Sequence, residues 1–201
     1  MRINRTTRTT RVIGALSVGL ALTLSACGSG DSTSDQTSQS ASVDHNDADV
    51  AFASDMLQHH AQALTMVDLT EGRPLDPAVQ QLADDIRAAQ APEIETMTGW
   101  LGDWDETVPD TSGSMGSMGG MEMDSSMPGM MSADEMTSLE NAADAGFQTM
   151  WLEMMLAHHE GAVEMAKTEQ ADGQYQPAID LAGSIVSSQS KEIATMKGLL
   201  G

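Results

Sequence analysis

The sequence predicts an all-α protein, an antiparallel four-helix bundle made of two duplicated helical hairpins. Three observations predict it. The segments from Phe52 to Leu101 and from Trp151 to Leu200 carry one pattern at a constant offset of 99 residues. In both, apolar side chains recur every three or four residues, the period of a helix face. Each is also split by a glycine- or proline-bearing break, and since a lone hairpin would leave its apolar stripe in water, two hairpins are expected to pack on each other.

The chain begins with Arg2, Arg5, Arg8 and Arg11, followed by an apolar run from Val12 to Leu24 and then Ser25-Ala26-Cys27. Residues 1–26 read as an export signal, because the run is shorter than the roughly 20 apolar residues that cross a bilayer. The Leu-Ser-Ala-Cys ending resembles the lipobox of bacterial lipoproteins. Cys27, the only cysteine, is therefore expected to carry lipid and to anchor the protein at the outer face of the cytoplasmic membrane or cell envelope. Residues 27–46 form the tether. They are rich in Ser, Asp, Thr and Gln, too polar to offset the entropy of ordering, and about nineteen such residues reach roughly 25 Å.

The first hairpin spans residues 47–102. Phe52, Met56, His59, Ala63 and Met66 mark one helix face, with His59 in the stripe and His60 at its flank. Gly72 is a helix stop, and Asp76-Pro77 supplies a cap and a first-turn proline. Val79, Leu82, Ile86, Ala89, Glu93 and Met97 then mark the second helix, in which Pro92 is a candidate bend. The second hairpin spans residues 132–201, with a helix from about Ser132 to Gln170, a break at Ala171-Asp172-Gly173, and a last helix from about Gln176 to Leu200.

Charge excludes one class of partner. The chain has 30 acidic and 9 basic side chains. Removing residues 1–26 takes four of the basic ones and none of the acidic, leaving a formal −25. Such a field repels nucleic acid and attracts cations.

Between the hairpins, residues 103–131 hold Met115, Met118, Met121, Met123, Met127, Met130 and Met131 among Gly, Ser, Asp and Glu. This much glycine does not hold a helix. Thioether sulfur is a soft neutral ligand that selects Cu(I) among common biological ions, and Met-x-Met or Met-x-x-Met spacing lets neighbouring sulfurs converge on one ion. The segment reads as a Cu(I) collector, or else as a plain linker.

The histidines carry the second signal. Four of five sit in the pairs His59-His60 and His158-His159. In antiparallel hairpins His59 falls near Gln90 and Glu93, and His158 near Gln189 and Glu192. Those amides and carboxylates could orient the rings, as outer partners of metal-bound imidazole commonly do. With Met56, Met97, Met155 and Met196 nearby, the cluster offers mixed nitrogen and sulfur ligands for Cu(I) or Cu(II). A metal-free polar layer that fixes bundle register is the alternative. No Glu-x-x-His, Cys-x-x-Cys, His-Glu-x-x-His, glycine-rich phosphate loop or Gly-x-Ser-x-Gly occurs.

The two blocks resemble the family catalogued as domain of unknown function 305. Its signature is matched by Asp49, Phe52, Met56, His59, His60, Ala63 and Met66, then by Leu82, Ala83, Ile86, Gln90, Glu93, Ile94, Met97 and Leu101. The second copy departs at its start, with Gln148 for Asp49 and Trp151 for Phe52. The resemblance implies a ferritin-like four-helix bundle, and an extracytoplasmic role in copper binding and tolerance through His and Met residues. The resulting expectation is a lipid-anchored copper-binding protein, not an enzyme, that buffers, sequesters or hands over copper, with a copper-handling protein as partner. A non-metal structural lipoprotein and a Cu(I)-oxidising metalloenzyme are the alternatives.

Overall fold

The computed structural model describes residues 44–111 and 127–201, all within one unit, Ala41–Gly201. All regular structure among these residues is helical: α1 (Asp47–Asp68), α2 (Pro77–Asp103), α3 (Ala133–Glu140), α4 (Asp144–Asp172) and α5 (Gln176–Leu200). Helices α1 and α2 form one hairpin and α4 and α5 the other. The two meet through α1 against α4. None of the described helices is long and apolar enough to cross a membrane.

Local chemistry sets the helix ends. Asn46 caps α1 by accepting from the Ala48 and Asp49 amides at 2.9 and 3.1 Å, while the Asp49 carboxylate accepts from the Asn46 amide at 2.7 Å. Asn46 also donates to the Asp172 carbonyl at the end of α4, which sets the start of one helix beside the finish of its antiparallel neighbour. Gly72 turns the chain within the first break with φ +74°, the left-handed conformation glycine adopts at little cost. Pro77 opens α2 as expected, and Pro92 is carried inside that helix without interrupting it.

The single helix expected from Ser132 to Gln170 is instead two. A capping box of Ser132 and Glu135 starts α3, which stops at Asn141. The freed carbonyls are taken by Arg73, whose guanidinium donates to the carbonyls of Ala142 and Glu140, each at 2.7 Å, and lies 4.3 Å from the Phe147 ring centroid. An arginine in the turn of the first hairpin thus stabilises the break in the second.

The core is divided. One apolar cluster gathers Ala63, Val67, Val79, Ala83, Ile86, Trp151, Leu152, Met155 and Met196, roofed by Met136 and Leu139 of α3. The other gathers Phe52, Ala53, Met56, Met97, Ala162, Ala166, Ala178, Ala182 and Ile185. These sets are images of each other under the 99-residue offset: Phe52 corresponds to Trp151, Met56 to Met155, Met97 to Met196, Val79 to Ala178 and Ile86 to Ile185. The duplication is therefore a pseudo-two-fold arrangement, with each hairpin lending one end to each cluster. Residues left between the clusters belong to neither.

Candidate metal centre

Those residues are polar. His59, His60, His158, His159, Gln90 and Gln189 are all buried, none more than 2% exposed. They form a layer across the middle of the bundle, with Met56 and Met97 in the cluster on one side and Met155 and Met196 in that on the other, all four fully buried.

Each hairpin orients one imidazole. The Nε2–H of His60 donates to Glu93 Oε2 at 2.7 Å, and that of His159 donates to Glu192 Oε2 at 2.9 Å. The sequence places Glu93 and Glu192 opposite His59 and His158; the structure gives them to the next residue in each pair. A helical step of about 100° per residue explains the change. The first histidine of each pair turns towards the α1–α4 contact and the second towards its own hairpin partner. His59 and His158 accordingly meet each other, with ring centroids 3.7 Å apart and planes 39° apart.

The two facing histidines differ in one respect. The Nε2–H of His59 donates to the Pro128 carbonyl at 3.0 Å. His158 has no well-formed hydrogen bond at either ring nitrogen, its weak contact with the His59 main chain falling outside hydrogen-bond geometry. The Nδ1 atoms of His59, His60 and His159 also lack a partner within the protein, as do both amide atoms of Gln90 and Oε1 of Gln189. Burial, reinforced by the adjoining imidazoles, pushes the pKa of His59 down to about 3 and that of His158 well below its ordinary value. Both rings are neutral near pH 7, and their unprotonated nitrogens carry free lone pairs.

Among the described residues, no group of three or more His, Cys, Asp or Glu side chains is arranged to hold a metal ion. The donors in and beside the layer are imidazole nitrogen and thioether sulfur. That chemistry suits a soft ion.

The methionine-rich segment divides. Met115, Met118, Met121 and Met123 lie outside the described residues. Met127, Met130 and Met131, expected in an open linker, are instead 8–9% exposed and belong to a strap, residues 127–131, which crosses the histidine layer. Gln62 holds the strap by two buried hydrogen bonds: its amide donates to the Met131 carbonyl and its carbonyl accepts from the Met131 amide, each at 2.8 Å. Glycine at 129, with φ +77°, lets the strap turn close over the Ala157 and His158 carbonyls. Neither Gln62 nor the Pro128 carbonyl is marked in the sequence by a metal-ligand pattern, and the glycine content of the segment argues against packing. Gly161 is the visible clue, since it breaks the repeat where Gln62 stands in the first copy.

At the far end of α4 lies a buried carboxyl pair. The Asp49 carboxylate accepts from the Gln174 and Tyr175 amides at 2.9–3.2 Å. Its pKa is lowered because these bonds and those from Asn46 and Glu169 outweigh its burial. No amide or hydroxyl donor reaches Glu169, whose pKa rises to about 8 through burial, a hydrogen bond with Asp49 and the charges of Asp49 and Asp172. Glu169 therefore keeps its proton near neutral pH beside an ionised Asp49.

No curated protein sequence matches this chain. Among solved structures, a DUF305 fragment from Deinococcus radiodurans is 32% identical, with a TM-score of 0.65, over 78% of this chain and 97% of that one. A DUF305 protein of Streptomyces coelicolor, described as secreted, is 35% identical, with a TM-score of 0.65, over 76% and 91%. CopM, solved in Cu(II)-bound, Cu(I)-bound and silver-bound forms, is 26–29% identical, with TM-scores of 0.58–0.62, over 75–76% of this chain and 93–95% of its own. The family model described as domain of unknown function (DUF305) matches residues 49–200, most of the chain and all of both repeats, and the protein is a member of that family.

Proposed function

We propose that this protein binds copper outside the cytoplasm, anchored by lipid at Cys27, and buffers or sequesters the metal. The observation that carries the reading is the set of five buried imidazole nitrogens, on His59, His60, His158 and His159, that make no well-formed hydrogen bond within the protein. A layer built only to fix register would satisfy its own donors and acceptors, because each buried polar atom left unpaired costs about 1–3 kcal/mol. Atoms left open at the centre of a bundle are available to a ligand. Their oriented neighbours, the Glu93 and Glu192 carboxylates, hold the other nitrogen of two rings, as outer partners of metal-bound histidine do. The likeness to CopM, which binds Cu(I), Cu(II) and silver, supports the same cargo here.

On this reading His59 and His158 form the central pair, while His60 and His159 and the thioethers of Met56, Met97, Met155 and Met196 complete a soft donor set. Met115, Met118, Met121 and Met123 collect Cu(I) before it reaches the bundle. The net negative charge concentrates cations near the surface without selecting among them.

The test is competitive Cu(I) titration of the chain from Gly28 onward, beside a variant lacking residues 112–126 and one with all four paired histidines replaced by Leu. Loss of binding in two stages supports separate collecting and storage sites. Absence of Cu(I) and Cu(II) uptake at micromolar affinity in the unmodified chain overturns the reading.

A further inference from the structure

The repeat keeps nearly every residue of the histidine layer in register, yet position 62 is glutamine and its counterpart, 161, is glycine. The structure gives this exchange a purpose. Gln62 binds both main-chain polar groups of Met131, and a Cβ at 161 would overlap the Pro128 carbonyl group. One hairpin supplies the grip and the other the clearance. Together they set the Pro128 carbonyl against Nε2 of His59, whereas the His158 ring has only its weak contact with the His59 main chain and no well-formed hydrogen bond.

A carbonyl oxygen only accepts, so the proton of neutral His59 must sit on Nε2 and the lone pair on Nδ1. We propose that Gln62 and Gly161 seat the Met127–Met131 strap as a one-sided positioning device that fixes the tautomer of His59, which then offers a cation Nδ1 alone, whereas His158 offers whichever nitrogen is unprotonated. The last clause rests on the copper reading above; the fixed tautomer does not. The two halves of the layer are thereby made unequal, and a strap bond holds one ring before any ion arrives.

The test is nitrogen-15 NMR of the metal-free full-length chain labelled at histidine, with amide hydrogen exchange read at Met131. The expected result is a pyridine-type Nδ1 and a pyrrole-type Nε2 on His59, and a protected Met131 amide. Gln62→Leu and Gly161→Ala should each move His59 to a mixture of tautomers and speed Met131 exchange at least tenfold. A mixed or Nδ1–H tautomer in the unmodified protein overturns the proposal, even if the variants fail to fold. So do folded variants, judged by circular dichroism, that leave both readings unchanged. Adding Ag(I) separates the two ideas. A shift confined to Nδ1 of His59 supports the ligand assignment, a shift at Nε2 overturns it, and no uptake removes the copper reading while leaving the tautomer result to judge the strap.

Discussion

His59 and His158 face each other across the α1–α4 contact with ring centroids 3.7 Å apart, and each is the image of the other in the repeat. Two neutral rings packed this closely exclude a proton from both, since each would meet a second imidazole and a desolvated setting. The relationship makes the pair a costly structural element, and on the proposed reading it is where a cation is received.

Replacing His158 with Leu removes two unpartnered nitrogens and keeps an apolar group of similar size. The metal-free protein should gain about 1–2 kcal/mol, read as a higher urea midpoint, while copper binding falls. A loss of stability of that size would instead assign His158 a structural role.

Acid should weaken the metal-free fold. His59 and His158 have folded pKa values far below the ordinary 6.5, so beneath about pH 6.5 the unfolded chain binds more protons than the folded one. The contribution of each is fully present above pH 6.5 and declines as pH falls, that of His59 being lost towards about pH 3, with a slope on the order of 1 kcal/mol per pH unit for each ring. Urea unfolding between pH 7.5 and 4.5 measures the slope. His158→Leu should reduce it, and an unchanged slope would mean that His158 takes up its proton as readily in the fold as out of it.

The sign reverses at the other buried site. Glu169 is protonated in the fold up to about pH 8 but ionised above about 4.5 once unfolded. Its contribution is present below pH 4.5 and is lost as pH rises through 8. Glu169→Gln keeps a donor to Asp49 without the titration, and should stabilise the protein by on the order of 1–3 kcal/mol at pH 8.5. Thermal melts of both forms at pH 5 and 8.5 check this; a difference independent of pH would refute the raised pKa of Glu169.

The parts of the fold that were legible in the sequence are those fixed by periodicity. Phe52, Met56, His59 and Met66 marked a helix face, and the 99-residue offset carried that face and its burial into the second copy. The departure at Gln148, where the first copy has Asp49, is one that the repeat pattern alone does not interpret. In the structure Asp49 accepts from the Tyr175 amide, and Gln148 accepts from the amide of Asp76, the repeat counterpart of Tyr175, at 2.8 Å. Carboxylate and amide oxygen do the same work there. What periodicity did not carry was tertiary. The break at Asn141 depends on Arg73 arriving from another hairpin, and the site's second face depends on a main-chain carbonyl in a glycine-rich stretch, where side-chain patterns are silent.

The exchange of Gln62 for Gly161 also bears on symmetry. A single hairpin carrying the His-His pair, joined two-fold to a copy of itself, would reproduce most of both apolar clusters and the layer between them, because nearly every long-helix core residue, Phe147 apart, has its image. Such a dimer could not grip a strap on one side and clear it on the other with the same residue. In one chain the two positions are free to differ, so that one half is the holder and the other the space it closes on.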